Sequence, residues 1–310
     1  MKICWPKGCD FAFTIVDDTE YASCGNVKPI YDLLYECGIY TTKTVWVKPP
    51  RDHFTGQCLE DAEYLGFVRD LKEKGFEIAL HSIGSGSYDR NEIIAGIEEF
   101  KNLLGSYPTM QINHSTNNDS LYWGYERYVP PLKWLYQIVY GGKRAYHGSD
   151  QESEYFWGDV AKERIRYIRN HAFNGINTLK YDPRMPYRYK GKERYSNFWF
   201  SSADGDDVRV FNNLLRKDNV DALERENGAC IVYTHFGKGF VNGEGTLDRE
   251  FENSIRYLAG KKGWFVPANV LLDFLSDHAG GGAHVNYWYL LKMDAVWIKE
   301  RVLKYLRYGI

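Results

Sequence analysis

The chain lacks three features that would place it in other classes of protein. No window reaches the ~18 consecutive apolar residues of a membrane span, and the first residues, Met1 to Pro6, lack the apolar segment of a signal peptide. The formal net charge is -2, from 39 basic and 41 acidic residues, so no excess of positive charge favours nucleic acid. We therefore expect a cytoplasmic protein whose partner is neutral or weakly charged.

Cysteine is also sparse. Six cysteines are spread over 310 residues without a Cys-x-x-Cys pair, and a chain of this length buries enough surface to fold without disulfides. We expect reduced, mostly structural thiols. A structural zinc site built from Cys4, Cys9 and Cys24 is a weaker alternative.

Aromatic residues are abundant. They make up 16% of the chain, with 25 Tyr and 9 Trp, and such rings serve as stacking platforms in carbohydrate sites as well as in ordinary interfaces. No break in composition divides the sequence, so we expect one domain over residues 1–310.

Strands and helices alternate along most of the chain. The periodicity of apolar residues and the positions of Gly38, Gly75 and Gly105 predict these elements. The predicted strands are 11–17, 41–47, 77–80, 109–113, 229–234 and 264–267, and the predicted helices are 29–37, 60–74, 91–104, 247–259, 270–275 and 295–306.

This alternation is typical of parallel β/α units, and about seven or eight of them predict a single distorted β/α barrel. The stretch from about 120 to 200 is rich in Tyr, Trp, Arg and Gly, with short periodic pieces such as Lys162 to Asn170. We interpret it as barrel strands that carry long loops.

Polar residues follow four of the predicted strands. The apolar run that begins at Phe11 ends in Asp17 and Asp18, and His81, Asn113-His114 and His235 follow three later strands. The carboxyl ends of parallel strands meet at one rim of a barrel, where the functional loops lie. Two adjacent carboxylates repel each other unless a cation or a shared proton relieves them, so this rim suggests a metal site. A helix cap at Asp17-Asp18 is the alternative.

Together these strand ends resemble the motifs of the polysaccharide deacetylase, or NodB-homology, family of carbohydrate esterases. The family's Thr-Phe-Asp-Asp is similar to Thr14 to Asp18, its His-Ser/Thr-x-x-x-His to His81 to Ser85, and its Leu-x-His to Tyr233-Thr234-His235. The resemblance covers about 270 residues, and the specificity lies in the combination of the motifs.

The resemblance implies a distorted β/α barrel and hydrolysis of an N-acetyl or other acyl group on a carbohydrate, glycan or glycolipid precursor. It implies Asp17 as general base, His235 as general acid, and Asp18 and His81 as ligands of a divalent metal, most plausibly Zn²⁺. We expect Ser85, Asn113, Asp204 and Trp199 to contact the sugar.

The sequence departs from the family pattern at three places. Ser85 stands where the motif has its second histidine, and we expect His114 on the neighbouring strand to serve as the third ligand, because neighbouring strand ends lie ~5 Å apart. The arginine that orients the catalytic Asp in the family is not visible on the strand of His114. The acidic partner of His235 is not fixed either, with Asp204, Asp206 and Asp207 as candidates.

Two other functions stay open. A barrel that binds sugar through its aromatic residues without hydrolysing it would account for the missing histidine and arginine. A glycosidase that pairs Asp17 with Asp204 or Asp206 ranks lower, because glycosidase carboxyls flank the scissile bond at ~5 to ~9.5 Å and adjacent Asp17 and Asp18 are badly placed to do so.

Overall fold

Eight parallel strands form the centre of the molecule. The structure, a computed structural model, describes residues 2–140, 146–278 and 280–308. The strand order is β2-β3-β4-β5-β6-β7-β1-β8, and β1 also pairs with β2. The strands are β1 Phe11–Asp17, β2 Thr42–Val45, β3 Glu77–Leu80, β4 Met110–Gln111, β5 Tyr167–Phe173, β6 Phe198–Asp204, β7 Ala229–Thr234 and β8 Gly263–Phe265.

Helices surround the barrel, and two short 3-10 helices lie at Pro6–Gly8 and Gly124–Arg127. None of the helices within the described residues has the length and apolar character needed to cross a membrane. The helices are α1 Cys24–Glu36, α2 Ala62–Glu73, α3 Arg90–Leu104, α4 Leu132–Tyr140, α5 Gly158–Arg164, α6 Thr178–Tyr181, α7 Val208–Leu214, α8 Lys217–Arg225, α9 Arg249–Ala259, α10 Ala268–His278 and α11 Tyr287–Tyr308.

Strand β1 closes the barrel because its two ends pair differently. Its first residues, Phe11 to Phe13, pair with β8, whereas Val16 and Asp17 pair with Thr42 and Lys43 of β2. Its other edge pairs with β7 along six residues. Seven strands therefore form a closed ring, and β8 joins it beside the start of β1. This arrangement confirms the predicted distorted barrel.

Most predicted elements occur within a few residues of their expected bounds. Strand β7 occupies the predicted range, and α3 ends at Gly105, which takes the left-handed conformation (φ 81°) expected of a C-terminal glycine. The last helix is longer than predicted and begins at Tyr287. The piece Lys162 to Asn170 is divided between the end of α5 and the start of β5. All six cysteines are free, as predicted.

Candidate active site

A polar cavity of about 280 Å³ opens at the carboxyl ends of the strands. Its floor and walls carry carboxylates, histidines and arginines, with Phe54, Trp123 and Tyr233 as aromatic neighbours. The charged and imidazole groups that line it are Asp18, Glu20, His81, Arg127, Arg169, Asp206, His235, Lys238 and Arg301.

Glu20 lies at the centre of this cluster. Its Oε1 atom is 3.0 Å from His81 Nε2, 3.2 Å from His114 Nε2 and 3.6 Å from His235 Nε2. Burial raises the pKa of Glu20, yet the histidines around it outweigh that effect and hold its pKa well below the usual value. An ionised carboxylate is thus enclosed by three imidazoles.

The hydrogen bonds of His81 fix which of its nitrogens carries the proton. His81 Nδ1 lies 3.2 Å from the carbonyl oxygen of Ile112, which can accept but not donate. In the neutral imidazole, the lone pair of His81 is therefore on Nε2 and faces Glu20.

His114 is fixed in the same way. Its Nδ1 atom lies 2.8 Å from Thr116 Oγ1, and that hydroxyl gives its hydrogen to Asp52 Oδ2 at 2.7 Å. The Thr116 oxygen must then accept from His114 Nδ1, which leaves the Nε2 lone pair directed at Glu20. When both imidazoles are neutral, two lone pairs and a carboxylate meet at one point, an arrangement that is repulsive unless a cation lies between them; in its absence, protonation of the rings relieves the repulsion.

Two buried atoms of this cluster have no hydrogen-bond partner among the described residues. They are Glu20 Oε2 and His114 Nε2. Buried polar atoms are nearly always paired. Glu20, His81 and His114 offer ligand atoms within 4.8 Å of one another, as do Asp18, Glu20 and His235. The donor set fits a divalent cation.

Asp17 and Asp18 occupy different environments although they are adjacent. Asp17 is fully buried beneath the cavity and does not line it. Lys43, the residue opposite it on β2, lies 2.8 Å from its carboxylate, which also accepts hydrogen bonds from Tyr31 Oη and Phe236 N. Burial raises the pKa of Asp17, and Lys43 acts against this.

Asp18 faces the cavity and is held by Arg169. The two guanidinium nitrogens of Arg169 lie 2.9 and 2.5 Å from the two carboxylate oxygens. This fork fixes the orientation of the carboxylate. The repulsion expected between the two aspartates is thus relieved by two separate cations of the chain, Lys43 and Arg169.

His235 and Asp206 form a further pair of residues that line the cavity. His235 Nδ1 lies 2.9 Å from Asp206 Oδ1, which also accepts from Lys238 Nζ at 3.0 Å. Burial lowers the pKa of His235, but Glu20 and Asp206 outweigh it and raise the pKa to about 10. Of the three candidates for the acidic partner, the structure brings Asp206 to His235, whereas Asp207 caps α7.

Of the four residues expected to contact the sugar, Asn113 alone lines the cavity, and its amide is bonded to both the N–H and the carbonyl of Leu121. Ser85 is buried and donates to Asp52, and Trp199 is a core residue whose Nε1 donates to Ser196. Asp204 is buried against Lys304 at 2.9 Å. These three side chains are bonded within the protein and do not line the cavity.

Sequence reasoning missed Glu20 and Arg169. Glu20 follows Asp18 by two residues, and in an extended chain such residues point to the same side; this spacing was the available signal. Arg169 lies on β5, one strand beyond the strand where the family pattern places its arginine.

No family model and no curated protein matches the chain. Among solved structures, the chain is similar to PuuE allantoinase, with a TM-score of 0.52, 13% identity and coverage of 90% of this chain and 95% of that one. It is also matched to an acetyl xylan esterase of family 4 from Clostridium thermocellum in complex with a cobalt ion (TM-score 0.40, 12% identity, 85% and 90% covered). A third match is a peptidoglycan deacetylase mutant from Bacillus subtilis (TM-score 0.38, 11% identity, 98% of each chain covered). The likeness to the allantoinase supports the predicted distorted β/α barrel as the fold of this chain.

Proposed function

We propose that the chain is a metal-dependent hydrolase that removes an acetyl or other acyl group from an amino sugar. The observation that carries this proposal is the meeting of three imidazole Nε2 atoms at one carboxylate oxygen of Glu20, within a polar cavity at the carboxyl rim of the barrel. Metal-ligating histidines characteristically donate their other nitrogen to a protein acceptor, and both His81 and His114 do so.

The proposed ligands are Glu20, His81 and His114, and the nitrogen and oxygen donors suit Zn²⁺. Such an ion, when bound, polarises a carbonyl and lowers the pKa of water. This assignment keeps the predicted roles of His81 and His114 and moves the carboxylate ligand from Asp18 to Glu20, because Asp18 is engaged by Arg169.

We assign the general base to Asp18. Its carboxylate faces the cavity and is oriented by Arg169, whereas Asp17 is enclosed by Lys43, Tyr31 and the backbone of Phe236. A base must lie within hydrogen-bond reach of the proton that it removes. The sequence-based prediction that Asp17 is the base is the alternative, and the variants Asp17→Asn and Asp18→Asn distinguish the two assignments.

His235 is the proposed general acid. The hydrogen bond to Asp206 raises the pKa of His235, which favours its protonated form, and Asp206 fixes the Nδ1 proton so that Nε2 faces the cavity. His235 Nε2 can therefore protonate the departing amine when the C–N bond breaks.

The two rival functions lose support at particular residues. A non-hydrolysing sugar-binding barrel was favoured by a missing histidine and a missing arginine, and in our proposal His114 and Arg169 supply the functions of these two residues. A glycosidase would need two free carboxylates across the cavity, but Asp17 and Asp204 are buried outside it and Asp206 is bonded to His235 and Lys238.

The test begins with metal content. We expect about one equivalent of zinc or a similar ion in the purified chain, its loss in His114→Ala, and its retention in the exposed control His284→Ala. The zinc-loaded chain is then incubated with N-acetylglucosamine oligomers, and acetate release is measured. We expect His235→Asn to lower the rate by about 10²- to 10⁴-fold. A chain that binds no divalent ion, or a rate that His235→Asn leaves unchanged, would overturn the mechanism.

A further inference from the structure

An apolar groove of about 600 Å³ adjoins the polar cavity. Four residues line both: Ser115, Trp123, Arg127 and Arg301. Because the two spaces share a wall of side chains, one extended ligand can reach from the cavity into the groove.

The groove is lined by aliphatic as well as aromatic side chains. Helix α4 contributes Leu132, Leu135 and Val139, and α11 contributes Ile298 and Val302. Such side chains offer no hydrogen bonds to the hydroxyl groups of a glycan, but they pack well against a hydrocarbon chain.

The groove continues onto an apolar surface that is open to solvent. Leu135 is 56% exposed and Val139 65%, and on the same helix Trp134 is 59% and Ile138 79% exposed. A contiguous exposed apolar surface of this kind usually marks a site of interaction with a protein, a membrane or an apolar ligand.

Positive charge is concentrated where the cavity meets the groove. Arg127 Nε donates to Asn170 Oδ1 at 3.1 Å, and its Nη2 donates to the Asn170 carbonyl, so both acceptors are neutral. Within the described residues, no carboxylate lies at ion-pair distance from Arg127. Arg301 is 3.4 Å from Asp204, which is also 2.9 Å from Lys304. An anion bound at this junction would offset the positive charge of Arg127 and Arg301, which the carboxylate of Asp204 balances in part.

We propose that the substrate is an anionic amphiphile, an inference that rests on the proposed function. Its acylated sugar would occupy the polar cavity, its phosphate ester would lie beside Arg127 and Arg301, and its hydrocarbon chain would lie in the groove. Arginine forks bind phosphate oxygens in pairs. The aliphatic residues and the exposed face of α4 favour a lipid chain over a longer glycan stacked on Trp123 and Trp297.

Binding can be measured without turnover. Isothermal titration calorimetry on the full chain would compare dodecyl phosphate, dodecyl maltoside and inorganic phosphate, each below the concentration at which micelles form. We expect one saturable site for dodecyl phosphate, with an affinity at least tenfold higher than that of either other compound. We also expect this preference to weaken with added salt, because the anion is held by partly exposed charges.

Substitutions locate that site. Arg301→Gln should weaken dodecyl phosphate binding by about tenfold and leave dodecyl maltoside unchanged; Asp204 keeps Lys304 as partner in this variant. Arg127→Gln serves as the second test of the anion site. Leu135→Asn should weaken both dodecyl compounds by about tenfold. The matched controls Arg249→Gln and Val270→Asn lie on α9 and α10 and should change nothing.

Several outcomes would overturn the inference. The first is the absence of saturable dodecyl phosphate binding. The second is dodecyl phosphate binding that Arg301→Gln, Arg127→Gln and Leu135→Asn all leave unchanged. The third is that an N-acetylglucosamine tetramer binds more tightly than dodecyl phosphate and that Leu135→Asn weakens the binding of this tetramer. The last result would assign the groove to a glycan. Dodecyl phosphate binding by a chain that binds no divalent ion would overturn the hydrolase proposal, whereas acetate release without such binding would overturn the amphiphile alone.

Discussion

At the scale of single residues, adjacency in sequence does not mean a shared role. Asp17 ends strand β1 and meets Lys43 in the interior, while Asp18 turns into the cavity and meets Arg169. An apolar run that ends in two acids marks the place from sequence alone. It does not show which acid faces the cavity, because that depends on cations contributed by β2 and β5.

Asp17→Asn and Asp18→Asn test this division. Each leaves a buried cation without its partner, so each should lower the free energy of unfolding, by about 3–5 kcal/mol for Asp17→Asn. Measured on the folded protein at low temperature, acetate release should persist in Asp17→Asn and fall at least about 100-fold in Asp18→Asn. Urea unfolding gives the stabilities. A folded but inactive Asp17→Asn would return the role of base to Asp17.

Thr116 links a loop carboxylate to a proposed metal ligand. Its hydroxyl donates to Asp52 and accepts from His114 Nδ1, which also lies 3.1 Å from Asn117 Oδ1. The two acceptors together hold the tautomer that directs Nε2 at Glu20, and the Thr116 contact is the shorter of the two. We expect Thr116→Val to weaken zinc binding by about 10- to 100-fold, measured by competition with a chromophoric chelator. Thr116→Ser keeps the hydroxyl and should bind as the wild type does. Equal affinities in all three proteins would show that the hydroxyl has no such role.

At the scale of elements, β5 and β6 are the strands that sequence reasoning could not delimit, and β5 shows the reason. Buried parallel strands usually read as apolar runs, but β5 contains Arg169, Asn170 and His171. These residues bond to Asp18, Tyr187 and Asp294 respectively. Their partners come from distant parts of the chain, so the polar residues disguise a strand that is nevertheless buried throughout.

The His171–Asp294 contact joins β5 to α11 and predicts a dependence of stability on pH. Burial, together with the charge of Arg127, lowers the pKa of His171 to about 4, below the model-peptide value of about 6.5. Between these values the unfolded chain binds the extra proton, so stability should fall as pH decreases from about 6.5 to about 4.

His171→Gln removes this titration. Its stability should depend on pH less steeply across that window, by at most about 1.4 kcal/mol per pH unit. Urea unfolding at intervals between pH 4 and 8 measures both slopes, and the exposed His278→Gln serves as control. Parallel curves for His171→Gln and the wild type would contradict the low pKa of His171.

At the scale of the whole molecule, the alternation of strands and helices predicted the barrel, because each β/α unit must return to the same sheet. The strand pairing that closes the barrel was not predictable. It depends on β1 pairing with β8 at its start and with β2 at its end, and this follows from the twist and offset of strands far apart in sequence. The same closure brings Glu20, His81, His114 and His235 from separate strand ends to one point.

A ligand set assembled from three strand ends should couple metal binding to the stability of the barrel. An ion that binds the folded chain at 100 times its dissociation constant adds about 2.7 kcal/mol to the free energy of unfolding. For a chain of this size, that corresponds to a rise of several degrees in Tm. Scanning calorimetry with zinc and with a chelator would show the rise in the wild type and in His284→Ala.

His114→Ala should melt at the same temperature with zinc or with chelator, because one of the three proposed ligands is gone. An equal rise in His114→Ala and the wild type would mean that zinc binds elsewhere, and the meeting of imidazoles at Glu20 would then need another explanation. A rise confined to proteins that keep His114 would tie the metal to the rim that barrel closure creates. The residues that bind the ion would then also hold neighbouring strand ends together.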